Sequence, residues 1–168
     1  MKRLISLLLA VLWVLPISAQ ELNGTWEISQ SMEEERDGLV TRAVVTDELQ
    51  LLPDGTFRES GQMKMDIGNG ERSYSLTVVY SGGGSWKREG DILTIQYNPK
   101  LARAEVTESD LPAAVKLLFA NAAARELKKG MSSRKAESCR ILSLTDTQLE
   151  LQDADGKNPE VETYRRKK

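Results

Sequence analysis

Turn signals recur at short intervals along this chain, and the segments between them are too short and too regularly alternating to be anything but strands. "PDG" at 53–55, "GNG" at 68–70, "GGG" at 82–84, "EGD" at 89–91 and "DADGKNP" at 153–159 supply the positive or preset φ that tight turns require. The intervening segments carry apolar residues with a period of two. In "YSLTVVY", Tyr74, Leu76, Val78 and Tyr80 share a face; in "ILTIQY" Leu93, Ile95 and Tyr97 do, and in "TQLELQ" Leu149 and Leu151 do. Such alternation describes half-buried antiparallel strands joined by hairpins. Strands are expected at 22–30, 39–52, 56–65, 72–81, 85–88, 92–98, 137–144, 148–153 and 160–166. Many short sequential strands in a small chain point to a mainly β fold, an antiparallel up-and-down β-barrel of about 8–9 strands or a sandwich. Closure is favoured because it leaves no exposed edge.

One stretch, "SDLPAAVKLLFANAAARELKKG" at about 109–130, breaks the pattern. Ser109 or Asp110 is placed to cap a helix, Pro112 falls in its first turn, and Lys128, Lys129 and Gly130 close it. Leu111, Val115, Leu118, Phe119 and Ala122 form an apolar stripe at helical spacing. The inserted α-helix is therefore expected to cover a barrel end. Arg125, Lys128, Lys129, Arg134 and Lys135 cluster beyond it, where basic groups complement the helix macrodipole with no partner required.

The chain opens with Lys2 and Arg3, an apolar run over 4–15, and then "PISAQ". This is the layout of a secretory signal peptide over residues 1–19 with cleavage after Ala19, and the run falls short of the roughly 20 apolar residues that span a bilayer. A secreted or periplasmic domain of about 150 residues, 20–168, is expected to remain, with no transmembrane span and enough chain for one core. With 23 Lys and Arg against 25 Asp and Glu, the chain lacks the positive excess of a nucleic-acid binder. The single cysteine, Cys139, rules out an internal disulfide framework and reads as a buried, inert thiol.

In order, a Gly-x-Trp after the leader, "LQLLPDGTF", "GGGSWKREGDILTIQY", "CRILSLTDTQLELQ" and a final "ETYRRK" resemble the lipocalin-like domains of bacterial extracytoplasmic proteins, relatives of the lipocalin and calycin barrels. The resemblance spans the mature chain apart from the helical insertion. It implies that Trp26 lies across the closed end of the barrel against a basic residue of the last strand. If Val161 points inward, alternation makes that residue Arg165, a cation on an aromatic face. The chain departs from typical lipocalins in having its helix before the last three strands and no counterpart of their disulfide. Their ligand contacts therefore do not transfer.

The chain contains no histidine, which removes the usual general base, the Ser and Cys triads, and most transition-metal sites. Glu33, Glu34 and Glu35 read as a solvated connection, and "DADGKN" lacks the glycine position and terminal glutamate of a calcium loop. No enzyme, metal or cofactor is implied. The inward faces carry Phe57, Met63, Met65, Tyr74, Tyr80 and Tyr97, which suit either an amphipathic ligand or a packed core. Phe57, Met63, Tyr74, Tyr80 and Tyr97 are the candidate ligand contacts, and Trp26 and Arg165 the closure; Trp86 reads as a second end-packing residue. The expected function is non-catalytic binding of a small apolar or amphipathic ligand. The competing expectation is a solid barrel that docks an envelope protein or an enzyme through its helix and loops. A continuous cavity of roughly 300 Å³ beneath Tyr74, Tyr80 and Tyr97 would favour the first.

Overall fold

The computed structural model describes residues 22–36, 38–69, 72–118, 121–122, 125, 129, 136–155 and 160–168. The expected signal peptide and Phe119, Lys128, Arg134 and Lys135 lie outside the described residues. Nine strands run in chain order: β1 (Gly24–Arg36), β2 (Leu39–Leu51), β3 (Thr56–Gly68), β4 (Ser73–Glu89), β5 (Ile92–Tyr97), β6 (Arg103–Ser109), β7 (Glu137–Leu144), β8 (Gln148–Asp153) and β9 (Val161–Arg166). Eight of them close an antiparallel barrel in the order β1-β2-β3-β4-β5-β7-β8-β9, with β9 returning to β1. The ninth, β6, pairs with the first half of β4, while β5 pairs with its second half.

The turns that were legible in sequence set the first registers. Gly55 and Gly90 hold φ of 79° and 65°, and the Asp54 carboxylate accepts from the Thr56 amide at 2.9 Å, so the β2–β3 and β4–β5 hairpins are fixed locally. The glycines of "GGG" do something else. Instead of turning, they lie inside the continuous 17-residue β4. A Cβ on Gly83 would meet the Phe57 carbonyl at 2.9 Å, and one on Gly84 would meet the Phe57 ring at 2.9 Å, so these glycines permit close approach of neighbouring strands. Two further expectations are corrected. Residues 31–36, with the three glutamates, continue β1 as strand, and Glu33 accepts from Arg42 Nε at 2.9 Å across the hairpin. The short β6 was not expected at all.

Paired residues of an antiparallel ladder share a side of the sheet, so the registers define the interior row by row. From the closed end outward the rows are Gly24–Leu51–Phe57–Gly84, Trp26–Leu49–Glu59–Gly82, Ile28–Asp47–Gly61–Tyr80, Gln30–Val45–Met63–Val78 and Met32–Ala43–Met65–Leu76. An apolar cluster of Leu22, Trp26, Leu49, Leu51, Phe57, Leu93, Ile95, Leu149 and Leu151 fills the closed end. A second, of Leu76, Val78 and Val106 with Met65, Ile67 and Ala104 against it, lies toward the far end. The helix, helical at 113–118, 121–122, 125 and 129, follows β6. Ser109 accepts the Leu111 amide at 3.0 Å just ahead of the helix, Asp110 ties this approach to β4 through the Ser75 amide at 2.8 Å, and the Pro112 carbonyl accepts the Lys116 amide at 2.9 Å. Leu111 packs on the second cluster as expected, but Leu118 of the presumed apolar stripe is 69% exposed.

Ring closure is narrow. β9 pairs with β1 only through Trp26↔Arg166 and Glu27↔Arg165. Trp26 is fully buried, donates Nε1 to the Leu22 carbonyl at 2.8 Å, and carries a guanidinium 4.4 Å from its ring centroid. That guanidinium belongs to Arg166 and not, as expected, to Arg165. Val161 turns outward and is exposed, so Glu162, Tyr164 and Arg166 form the inward set. Arg166 also donates to the Asn23 carbonyl at 3.0 Å. Gly24 has φ of 139°, and a Cβ there would fall 2.8 Å from the Arg166 guanidinium. The glycine before the tryptophan thus makes space for the arginine above it. Arg166→Ala is expected to lower stability by about 1–3 kcal/mol, through the lost stacking and hydrogen bond. Arg165→Ala, on the exposed face, should stay within about 0.5 kcal/mol in the same denaturant titration.

Candidate functional site

Between the two apolar clusters the barrel interior turns polar. Asp47 of β2 stands in the row after Trp26–Leu49, flanked by Val45 and Leu49 on the same face, with Glu59 diagonally across on β3. Glu162 and Tyr164 reach the same level from β9, because β8 pairs Leu151 with Glu162 and Leu149 with Tyr164. Glu137 and Cys139 enter from β7, opposite Ile95 and Leu93 of β5. These groups surround a cavity of about 230 Å³, lined by Asp47, Glu59, Tyr97, Glu162 and Tyr164 on its polar side and by Ile95 and Leu151 on its apolar side. A second cavity of about 220 Å³ shares Glu137, Cys139, Leu151 and Glu162 and leads toward Asp153 and Glu160.

Electrostatics in the belt follow from burial among like charges. Asp47 accepts the Glu48 amide at 2.9 Å, yet burial, and then the neighbouring Glu59, push its carboxyl up to about 8. It is therefore protonated at neutral pH. Tyr164 donates to Glu162 at 3.0 Å, and burial, followed by Glu162, holds its phenol neutral well above the ordinary tyrosine value. Tyr80 shifts the same way, through burial and then Asp47. One oxygen of Glu59, Oε2, is wholly buried and has no hydrogen-bond partner. No lysine or arginine lines either cavity among the described residues.

The sequence-predicted contacts share the interior face but do not converge. Phe57 is buried at the closed end, edge-on to Tyr97 with ring centroids 5.1 Å apart. It is core. Met63 lies one row beyond Tyr80, Tyr74 is exposed near the start of β4, and Tyr80 lies across Gly61, whose missing Cβ leaves room for the ring. Only Tyr97 of the five lines the cavity. Cys139, expected buried, is half-buried at the cavity wall. Trp86 packs against the closed-end cluster and donates to the Leu52 carbonyl at 3.0 Å, the end-packing role expected of it.

Beyond Glu27↔Arg165 the strands β1 and β9 part, and a depression of about 550 Å³ opens there, lined by Glu27, Ile28, Ser29, Thr46, Thr163 and Arg165. Ile28 pairs with Asp47, so this fork lies one strand away from the acidic belt. A groove of about 520 Å³ on the outer wall, over Gly82–Gly84 and beside Arg58 and Leu101, brings together no comparable set of buried groups. Among the described residues, no group of three or more acids and thiols is arranged to hold a metal ion, and no helix is long and apolar enough to cross a membrane. No protein-family model matches the chain, and no curated protein matches it.

The proton on Asp47 has a thermodynamic signature. Asp47 titrates near 3.8 when unfolded and near 8 when folded, so its proton stabilises the folded chain fully below about pH 4. That contribution is lost as pH rises from about 4 to about 8. The melting temperature of the protein should therefore fall across this window by roughly 5 °C or more, since each kcal/mol moves it by a few degrees. Asp47→Asn, which cannot ionise, should flatten most of the slope; an unchanged slope in scanning calorimetry would show that Asp47 is ionised in the folded state throughout.

Proposed function

We propose that this chain is an extracytoplasmic, lipocalin-like barrel that binds a small amphipathic molecule in its interior and performs no chemistry on it. The observation that carries this reading is the cavity of about 230 Å³ lined by carboxylates and tyrosines between two apolar layers, smaller than the roughly 300 Å³ set as the mark for a ligand site and lined by Tyr97 alone of the three tyrosines named for it. A barrel of eight strands is just wide enough to be filled by side chains, and here it is filled at the closed end and not at this level. A cavity of about 150 Å³ already holds benzene, so the space takes a ring with a short chain. Buried polar groups give such a site orientation and its apolar wall gives it affinity. The fork between β1 and β9 is the route of access in this reading.

The absence of histidine, the usual general base near neutral pH, supports binding without catalysis. The leader-like opening of the chain supports an extracytoplasmic location. A second reading, docking to an envelope protein through the helix, is favoured by Leu117 and Leu118, which are 63% and 69% exposed. It needs no interior space.

Native mass spectrometry of protein purified from its own envelope separates the two. A retained small molecule, displaced in a Cys139→Leu variant that fills the cavity wall, is the expected result. A bare protein that also shows no thermal shift with fatty acids, sterols, quinones or small amphipathic amines would sink the binding reading. Loss of an envelope partner in a Leu117→Ser, Leu118→Ser variant would then establish docking.

A further inference from the structure

The proposed ligand site has a charge preference of its own. The inner wall presents Asp47, Glu59, Glu137 and Glu162 from four different strands, with no lysine or arginine in the lining among the described residues. Carboxylates brought together in a barrel interior repel one another and are costly to desolvate, so a fold that needed only packing would place leucine or valine there. The next row outward does this, with Val45, Met63 and Val78, and along β2 Asp47 is flanked on its own face by Val45 and Leu49. The Glu59 Oε2 atom is buried and unpartnered, on a residue that lines the cavity. A buried acceptor without a donor is satisfied by whatever donor enters. The same cavity is also lined by the Tyr97 ring and by the apolar side chains Ile95 and Leu151, which pair with Glu137 and Glu162 on the neighbouring strands. An aromatic face attracts a cation, and an apolar wall takes a hydrocarbon body.

We propose that the interior cavity binds a protonated organic amine, its ammonium held by Glu59 with Asp47 and Glu162, and its apolar body against Tyr97, Ile95 and Leu151. The assignment rests on the reading of the interior as a ligand site and specifies the class of ligand. An ammonium has three donors and no acceptor, which matches a wall rich in carboxylates. A neutral alcohol offers one donor, and a carboxylate adds a like charge.

Amine binding is coupled to a proton. Without ligand, Asp47 holds one; an ammonium replaces its charge, and the proton leaves to solvent. Affinity therefore rises as pH increases from 6 toward 8.5, until the amine itself begins to deprotonate. The titratable groups that face Asp47 are Glu59 on β3, Tyr80 on β4, and Glu162 and Tyr164 on β9. Tyr97 on β5 and Glu137 and Cys139 on β7 complete the lining. Both Tyr80 and Tyr164 stay neutral through this pH range, because burial holds their phenols above it.

The test uses the full mature chain and three matched probes: phenethylamine, phenethyl alcohol and 3-phenylpropionate. Isothermal titration is expected to show the amine binding at least tenfold more tightly than either other probe. Its enthalpy should vary with the ionisation enthalpy of the buffer, reporting the released proton. Glu59→Gln, isosteric and uncharged, should weaken the amine at least tenfold while retaining the wild-type fold by circular dichroism. The buffer dependence needs no variant, so the test survives a variant that misfolds. Equal or tighter binding of the alcohol or the propionate overturns the amine assignment and leaves the ligand site standing. So does amine binding that is indifferent to Glu59→Gln, or stabilisation by calcium chloride and not by the amine. No binding of any probe, with the retained-ligand experiment also blank, overturns both.

Discussion

Closure of the barrel depends on a seam two residue pairs wide. Every other neighbouring pair in the ring shares at least four ladder positions, whereas β1 and β9 share only Trp26↔Arg166 and Glu27↔Arg165. So short a ladder cannot hold a sheet edge by backbone bonds alone, and the side chains supply the rest. Arg166 stacks on Trp26 and reaches the Asn23 carbonyl, while the Lys167 amide donates to Thr25 at 2.8 Å and its ammonium pairs with Glu48 on the outside. The interior partners are buried, so their contacts count for more than the solvent-exposed ion pair beside them. Without this clasp, β1 and β9 would become open edges.

The same narrowness shapes the site. Because the pairing stops after Glu27, the strands diverge where the interior changes from apolar to acidic, and the fork opens beside the row that holds Asp47. A longer seam would have closed the wall there. The closed end is therefore built to be rigid and dry, with Trp26, Phe57 and Leu93 filling it, and the polar level begins immediately beyond. The second apolar cluster, packed on by Leu111 at the start of the helix, bounds that level from the other side. Buried acids between two dry layers experience a low dielectric, which is why Asp47 keeps a proton at neutral pH.

Much of this architecture was legible in the sequence. The alternation in "YSLTVVY" and "ILTIQY" placed Tyr74, Leu76, Val78, Tyr80, Leu93, Ile95 and Tyr97 on the face they occupy, because period two admits one alternative only. The helix start was legible because Pro112 is a local signal, and its carbonyl accepts the Lys116 amide that opens the helix. The failures share a cause: a residue type that serves two roles. Glycine marks turns and also close strand approach, so "GGG" read as a turn when it lies within β4. Val161 is β-branched and apolar, yet it begins an exposed strand end, and trusting it as core shifted the last strand by one residue and exchanged Arg166 for Arg165. In β6, only Ala104 and Val106 alternate inward, too few to register against the charged residues between them.

The acidic belt was hidden by a different assumption, that charges in a strand face water. In "VVTDELQLL", Val45, Asp47, Leu49 and Leu51 fall on one period-two face, and in "TFRESGQM" so do Phe57, Glu59, Gly61 and Met63. Each series places a carboxylate where a hydrophobe is expected, and the two series are paired strands. Glu137 before Cys139 and Glu162 before Tyr164 repeat the pattern on β7 and β9. A single inward charge is readily dismissed as a register error. Four of them, each at the position that strict alternation sends inward, are a statement about what the interior holds. Alternation finds a barrel's core by its hydrophobes; here it locates the candidate site by the places where hydrophobes are missing.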